Sequence, residues 1–347
     1  MTFENYAAEF TKKALDGGYS GENILKCLVY AKPLIDHGLP VIYNTSHFSG
    51  LVGYRKSYIT KAVHNTKYYY RHFQIKKNNG KQRVISEPLP SLKDIQCWIL
   101  SNILEKIPVG KPAKAYVKNT TLKQNLVFHR GQDLVLKMDI ADFFGSIKRN
   151  AIETIFRDLG YSKYVSNLLG KICCLNTSLP QGAPTSPYLS NLYMRDFDKM
   201  VWGYCTMFKI RYTRYSDDLT FSGSFDPSTR IKTFVTGKLL ELGLVVNDKK
   251  TKVMTKSQRQ TVTGIVVNEK IQVDRKRRKA IRLQVYYIKK FTLQGHLKNI
   301  KNNRVNYLPH LLGQINYVLF INPDDAEFLA YRAFVSSLLI DEAGSIL

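Results

Sequence analysis

The chain has 347 residues, enough to bury a large core in more than one lobe. Its 52 Lys plus Arg against 27 Asp plus Glu leave a formal net charge of +25, a balance that favours a polyanion such as nucleic-acid phosphate as partner. No apolar run approaches the roughly 18 residues of a membrane span, and no basic-then-apolar leader opens the chain. A cytoplasmic protein with no membrane partner is therefore expected. Cys27, Cys97, Cys173, Cys174 and Cys205 form no CxxC pair, which argues against a zinc site and for reduced thiols, most of them in the core.

In chain order, residues 1 to about 65 read as helical and irregular, with Ile24, Leu25, Leu28 and Val29 at helical spacing. Two β-prone runs around Asn79-Gly80 read as a hairpin. Its tip carries Lys76, Lys77, Lys81 and Arg83, which serve either as a solvated basic loop or as a phosphate clamp. Leu92, Ile95, Ile99 and Ile103 predict a helix over 91–106. Asn125 and His129 form a polar pair amid Leu126, Val127 and Phe128. The apolar strand Leu134–Met138 then runs into Asp139, and ligand-binding groups collect at such strand ends. Ile152, Ile155, Phe156 and Leu159 predict the next helix, with Gly160 as its stop.

Leu179-Pro180-Gln181-Gly182-Ala183-Pro184-Thr185-Ser186-Pro187 opens a further helix with Leu189, Leu192, Tyr193 and Phe197 on one face. Gly182 permits close backbone approach, so a nucleotide can lie against this turn; a plain Pro-rich loop is the alternative. Tyr215-Ser216-Asp217-Asp218 sits between Ile210 and Tyr212 before it and Leu219 and Phe221 after it, which predicts a β-hairpin with two carboxylates at its tip. Adjacent carboxylates repel each other. Either this is an ordinary Asp-rich turn or a hard cation neutralises it. Segments 243–252 and 261–268 complete a strand-rich core. Beyond it, Arg275, Arg277, Arg278, Lys279 and Arg282 begin a basic helical region with Tyr286, Tyr287 and Phe291 interleaved. The cations suit phosphates, and the aromatics are expected on the core face.

Taken together, Asp139–Phe144, the 179–187 loop, Tyr215–Asp218, Leu244–Lys252 and Val262-Thr263-Gly264 resemble the bacterial retron reverse transcriptases. The resemblance spans about residues 65 to 325 and includes Leu311–Tyr317 and Ile321-Asn322-Pro323. Asn125–His129 resembles the retron NAxxH element, with Leu126 where Ala is usual. It implies an α+β right-hand polymerase fold with fingers, an antiparallel-sheet palm and a helical thumb. The N-terminal region and fingers would fill 1–130, the palm 131–268, and a basic thumb 269–347.

The resemblance implies two Mg²⁺ ions at Asp139, Ile140, Asp217 and Asp218, with Asp142 a weaker claimant. It implies a deoxynucleoside triphosphate held by Lys76 or Lys77, Arg83, Gln181 and Lys250, the last a candidate acid for pyrophosphate. Phe144 matches the family's steric gate; the adjacent Phe143 should face the opposite way if the strand continues. Further implied are a cognate structured non-coding RNA, priming from an internal guanosine 2′-hydroxyl, and a branched RNA–DNA product. Asn125, His129 and the basic residues 275–282 would contact the RNA. Anti-phage defence with a separate effector protein is the implied role. An inactive RNA-binding scaffold is disfavoured by intact Asp139, Asp217 and Asp218. A group II intron-type or protein-primed defence reverse transcriptase is the alternative within the same chemistry.

Overall fold

The computed structural model describes residues 2–76, 80, 82–226, 230–301 and 306–344. Four helices open the chain: α1 (Phe3–Asp16), α2 (Gly21–Asp36), α3 (Thr45–Val52) and α4 (Lys56–His64). Side chains of Thr2, Ser20 and Asn44 cap the first three by accepting the N3 amide, which satisfies a donor the helix cannot. The apolar stripe of α2 differs from expectation. Ile24, Ala31 and Leu34 are buried, while Leu25 and Val29 are 62% and 66% exposed.

Strands β1 (Tyr70–Lys76) and β2 (Gln82–Pro88) pair antiparallel from Tyr70↔Pro88 to Lys76↔Gln82. Of the expected turn and its cations, Lys77, Asn78, Asn79 and Lys81 lie outside the described residues. Helix α5 (Pro90–Asn102) buries the expected Leu92, Ile95 and Ile99. The short α6 (Leu122–Phe128) starts on a capping box in which Thr121 and Gln124 satisfy each other's amides.

Strand β3 (Leu134–Asp139) is followed by one helical turn, α7 (Phe143–Ser146), and by α8 (Arg149–Asp158) and α9 (Lys163–Cys173). Helices α10 (Ser186–Tyr193) and α11 (Arg195–Met207) break at Met194, where a single helix was expected. Then come β4 (Arg211–Tyr215), β5 (Asp218–Gly223), α12 (Arg230–Glu241), β6 (Lys252–Thr255) and the small hairpin β7 (Thr261–Val262) with β8 (Ile265–Val266). Helices α13 (Arg275–Asn299), α14 (Tyr307–Ile321) and α15 (Ala326–Gly344) close the chain.

The central sheet is antiparallel in the order β4-β5-β3-β6 and is covered on both faces. Along β3 the side chains alternate, as the pleat requires. Leu134, Leu136 and Met138 enter a core shared with α2, α5 and α8–α12. Val135 enters a second core with Leu126 and α13–α15. Covering both faces explains why Leu134, Val135 and Leu136 are apolar in succession, without the polar alternation of a half-exposed strand. Burying both faces leaves the strand ends as the places where polar groups can meet solvent.

Helix α13 corrects a second expectation. Ile281, Val285 and Ile288 take its core face, and Tyr286, Tyr287 and Phe291 stand 51%, 40% and 51% exposed. Thr292 has φ 63, outside the helical region, so two helical pieces meet there. Among the described residues no helix is long and apolar enough to cross a membrane.

Candidate active site

The β4–β5 hairpin forms as its alternation predicts, with Tyr215 paired to Asp218 and Ser216-Asp217 between them. Ser216 holds φ 62, a left-handed conformation that a non-glycine residue adopts at a cost. On the neighbouring strand Asp139 pairs with Asp218, and the amide of Ile140 donates to the Asp217 carbonyl at 3.0 Å. Strand pairing alone therefore brings together acids almost 80 positions apart in the chain. Burial, then the charges of Asp139 and Asp218, push the Asp217 carboxyl above its ordinary range.

Cations answer part of this negative charge. Lys250 Nζ lies 2.8 Å from Asp139 Oδ2, and Asn247 Nδ2 donates to Asp139 Oδ1 at 3.2 Å. That carboxylate raises the Lys250 pKa by accepting its hydrogen bond. Lys137 Nζ reaches Asp218 Oδ2 at 3.5 Å. Lys137 and Asn247 were not foreseen as site residues. Lys137 is two positions before Asp139 on the same strand, a spacing that puts both side chains on one face and was available as a signal.

The acids open on a cleft of about 900 Å³ that Arg83, Phe144, Gln181, Tyr215 and Lys250 also line. Its chemistry fits a divalent cation: crowded carboxylates, one of them held back from ionising by burial and then by its acidic neighbours. Among the described residues no three acidic, His or Cys side chains are drawn close enough to form a ready-made cage. Mg²⁺ sites made of one or two carboxylates completed by water and substrate phosphate need no such cage. Asp142, at φ 40, also lines the cleft.

Several expectations are met in position but for a different reason. Phe143 is buried at 4% exposure and Phe144 is half-buried at the cleft wall, yet the cause is a helical turn rather than strand alternation. Gly182 does need its missing side chain, with φ +131 and a Cβ that would stand 2.7 Å from the Ser86 carbonyl. The backbone that approaches it is thus β2, where Ser86 N donates to Gln181 O at 2.8 Å. The turn is fastened to the β1–β2 hairpin, and Gln181 is set at the cleft by that contact. Lys76 ends β1 exposed and does not line the cleft; Arg83 does.

The expected RNA contacts need correction. Asn125 and His129 are fully buried at 0% exposure. His129 Nδ1 is 2.7 Å from Ser222 Oγ and Nε2 is 2.7 Å from Thr213 Oγ1, while Thr213 donates to Asn125 Oδ1 at 2.7 Å. Thr213 spends its proton on Asn125, so its oxygen accepts from His129 Nε2; burial, which lowers the imidazole pKa, keeps the ring neutral and leaves Nδ1 to accept from Ser222. Both residues tie α6 to the hairpin strands and present nothing to RNA. In α13, Arg278 pairs with Asp325 at 2.7 Å and is only 13% exposed, and Arg282 pairs with Glu327. Arg275, Arg277 and Lys279 face solvent, with Arg277 over the Tyr317 ring at 4.6 Å.

Comparison with known proteins meets this geometry from the other side. The family model described as "Reverse transcriptase (RNA-dependent DNA polymerase)" matches residues 75–308. The chain is 33% identical over 255 residues to the retron Ec86 reverse transcriptase of Escherichia coli, covering 72% of this chain and 80% of that one. It is 29% identical over 322 residues to the retron Mx65 reverse transcriptase of Myxococcus xanthus, covering 86% and 73%. A Candida albicans telomerase, solved with a fragment of telomeric RNA, overlaps 84% of this chain and 64% of its own at TM-score 0.44 and 12% identity. The family match spans the central sheet, the acidic hairpin and the 179–187 loop, and brings with it the right-hand polymerase plan in this mixed helix-and-sheet chain. The chain belongs to the reverse transcriptases, in their bacterial retron branch, and is an RNA-directed DNA polymerase.

Proposed function

We propose that the chain copies part of a cognate structured non-coding RNA into DNA, priming from an internal RNA 2′-hydroxyl to leave a branched RNA–DNA hybrid. The observation that carries this is the convergence of Asp139, Asp217 and Asp218 with Arg83, Phe144, Gln181 and Lys250 on one cleft. In this reading residues 1–130 hold the N-terminal region and fingers, 131–268 the palm, and 269–347 the thumb.

Asp139, Asp217 and Asp218, with the Ile140 carbonyl, would hold two Mg²⁺ ions, whose chemistry when bound is to acidify the attacking hydroxyl and neutralise the departing oxygen. The chain's own side chains do the rest. Arg83 neutralises the triphosphate of the incoming deoxynucleotide, with Lys76 and Lys77 near enough in sequence to join it. Gln181 bounds the nucleotide pocket from the loop that Ser86 anchors. Lys250, an ammonium on a flexible stem, can leave Asp139 and give a proton to pyrophosphate. The ring of Phe144 fills the space a ribose 2′-hydroxyl needs. The exposed cations of α13 contact RNA phosphates, mostly by shape and backbone.

In this reading the chain would act in anti-phage defence with a separate effector chain, the role that the family resemblance implies. Sequencing nucleic acid that co-purifies with the protein tests the whole proposal. A branched hybrid carrying one recurrent RNA is the expected result. An intron, random RNA or no nucleic acid would refute it.

A further inference from the structure

Arg214 is among the largest side chains with no solvent exposure, and it lies three residues before Asp217. Its partner Asp198, on α11, is equally buried. Nε donates to Asp198 Oδ1 at 3.0 Å, and the terminal Nη2 to Oδ2 at 2.6 Å. Nη1 turns the other way, to Asn191 Oδ1 at 3.0 Å and the Ser216 carbonyl at 3.2 Å. Tyr212 donates to Asp198 Oδ1 at 2.7 Å, and Asn191 Nδ2 to the Ala115 carbonyl at 2.8 Å. Burial opposes the guanidinium's charge, and Asp198 more than restores it.

A buried ion pair contributes little to stability when it replaces a good apolar contact, so its retention asks for another reason. Here the fork has a specific target. Ser216, buried at 6% exposure, is the left-handed residue of the acidic turn, and Arg214 is the side chain that donates to its carbonyl. The other face of the same turn is fixed by the Ile140 amide on the Asp217 carbonyl. The backbone of Arg214 is also held, its amide donating to Pro112 O and its carbonyl accepting from Lys114 N, each at 2.8 Å. Asn191 stands on α10, the helix that follows the loop carrying Gln181.

We propose that Arg214 is a positioning residue for Asp217: it holds the strained Ser216 turn in the one conformation that points Asp217 into the cleft, and through Asn191 couples that turn to the helix behind the nucleotide loop. The inference rests on Asp217 being a catalytic carboxylate. Lysine cannot replace the arginine, because a single ammonium has no planar fork to reach Asp198, Asn191 and a carbonyl at once.

The test compares Arg214→Lys with wild type on an annealed primer–template. Expected are a fall in kcat of about tenfold or more, with nucleotide KM and primer–template Kd within about twofold. Hydrogen exchange gives a second readout: the Ile140 amide, whose acceptor is Asp217, should exchange about tenfold faster while β3 amides within the ladder keep their protection. A folded Arg214→Lys with kcat within about twofold of wild type overturns the proposal. So does a kcat loss that only tracks uniformly faster exchange along β3. If Arg214→Lys does not fold, Asn191→Ala decides, since it leaves the Arg214–Asp198 pair intact. It should lower kcat about three- to tenfold and loosen the Ile140 amide, and unchanged values for both overturn the idea. Asp217→Asn run alongside separates the two failures. Full activity there removes the catalytic assignment, whereas the exchange result still reports what Arg214 does to the turn.

Discussion

Two residues at the cleft carry opposite duties, and each can be probed alone. Asp217 is pushed toward its neutral form by burial and then by the charges of Asp139 and Asp218. Removing its charge should therefore ease folding slightly while abolishing what the charge is for. Asp217→Asn is expected to lose roughly 10³-fold or more of Mg²⁺-dependent deoxynucleotide incorporation, with RNA binding intact and Tm equal to or above wild type. Substantial incorporation by a folded Asp217→Asn, Asp218→Asn double variant would end the assignment. Both Phe143 and Phe144 reach the cleft lining, but Phe144 is half-buried there whereas Phe143 is buried at 4% exposure, ring centroids 5.4 Å apart. Phe144→Ala should raise ribonucleotide use relative to deoxynucleotide by about tenfold or more. Phe143→Ala should cost about 3–5 kcal/mol of stability with sugar choice unchanged. Competition between the two nucleotide types on each variant checks this, and wild-type discrimination by Phe144→Ala would return that ring to the core.

At the scale of the element, α6 is fastened to the acidic hairpin by polar bonds inside an apolar setting. Burial, with Arg211 and Lys114 nearby, pushes His129 down to about 3 from its ordinary 6.5. The sign follows from proton uptake. Between these values the unfolded chain binds a proton that the folded chain refuses, so stability is full above 6.5 and is lost as pH falls toward 3. The loss approaches about 1.4 kcal/mol per pH unit in that window. Thermal melts of wild type and His129→Gln between about pH 7.5 and 5 should show a shallower decline for the variant; parallel curves would place the proton elsewhere. Asn125→Ala/His129→Ala should impair copying of cognate RNA and of an annealed primer–template equally, because the pair supports the hairpin. A loss confined to cognate RNA would restore a role in initiation.

For the whole molecule, the question is where a net charge of +25 meets a polyanion. The basic run of α13 divides by tertiary contact. Arg278 and Arg282 turn toward the acids at the start of α15, and Arg275, Arg277 and Lys279 face solvent on the same helix as the exposed Tyr286 and Tyr287. Neutralising Arg275, Arg277 and Lys279 should weaken RNA binding and lower the salt slope by roughly 0.7–0.9 for each phosphate that the variant no longer neutralises. Arg278→Gln should instead lower Tm, since it leaves Asp325 unpaired at 8% side-chain exposure. A filter-binding titration over salt concentration distinguishes them, and an unchanged slope for the triple variant would move the RNA face away from α13.

Much of the site was legible from local pattern. Strand alternation on both sides of Ser216-Asp217, an apolar strand ending at Asp139, and a Pro-Gly loop opening a helix are decided within a few residues, because pleat, turn and cap chemistry act at that range. Order along the chain then pointed to the polymerase family. Burial could not be read the same way. Asn125, His129 and Arg214 are polar, and only partners 16 to 93 positions away make their interior places tolerable. Tyr286, Tyr287 and Phe291 are apolar enough for a core, and they stay outside because Ile281, Val285 and Ile288 occupy the face that packs. Gly182 was marked as a point of close approach, but which backbone approaches depended on where β2 passes. Periodicity says that an element has a face; which polar groups that face can bury depends on donors and acceptors supplied from elsewhere in the fold.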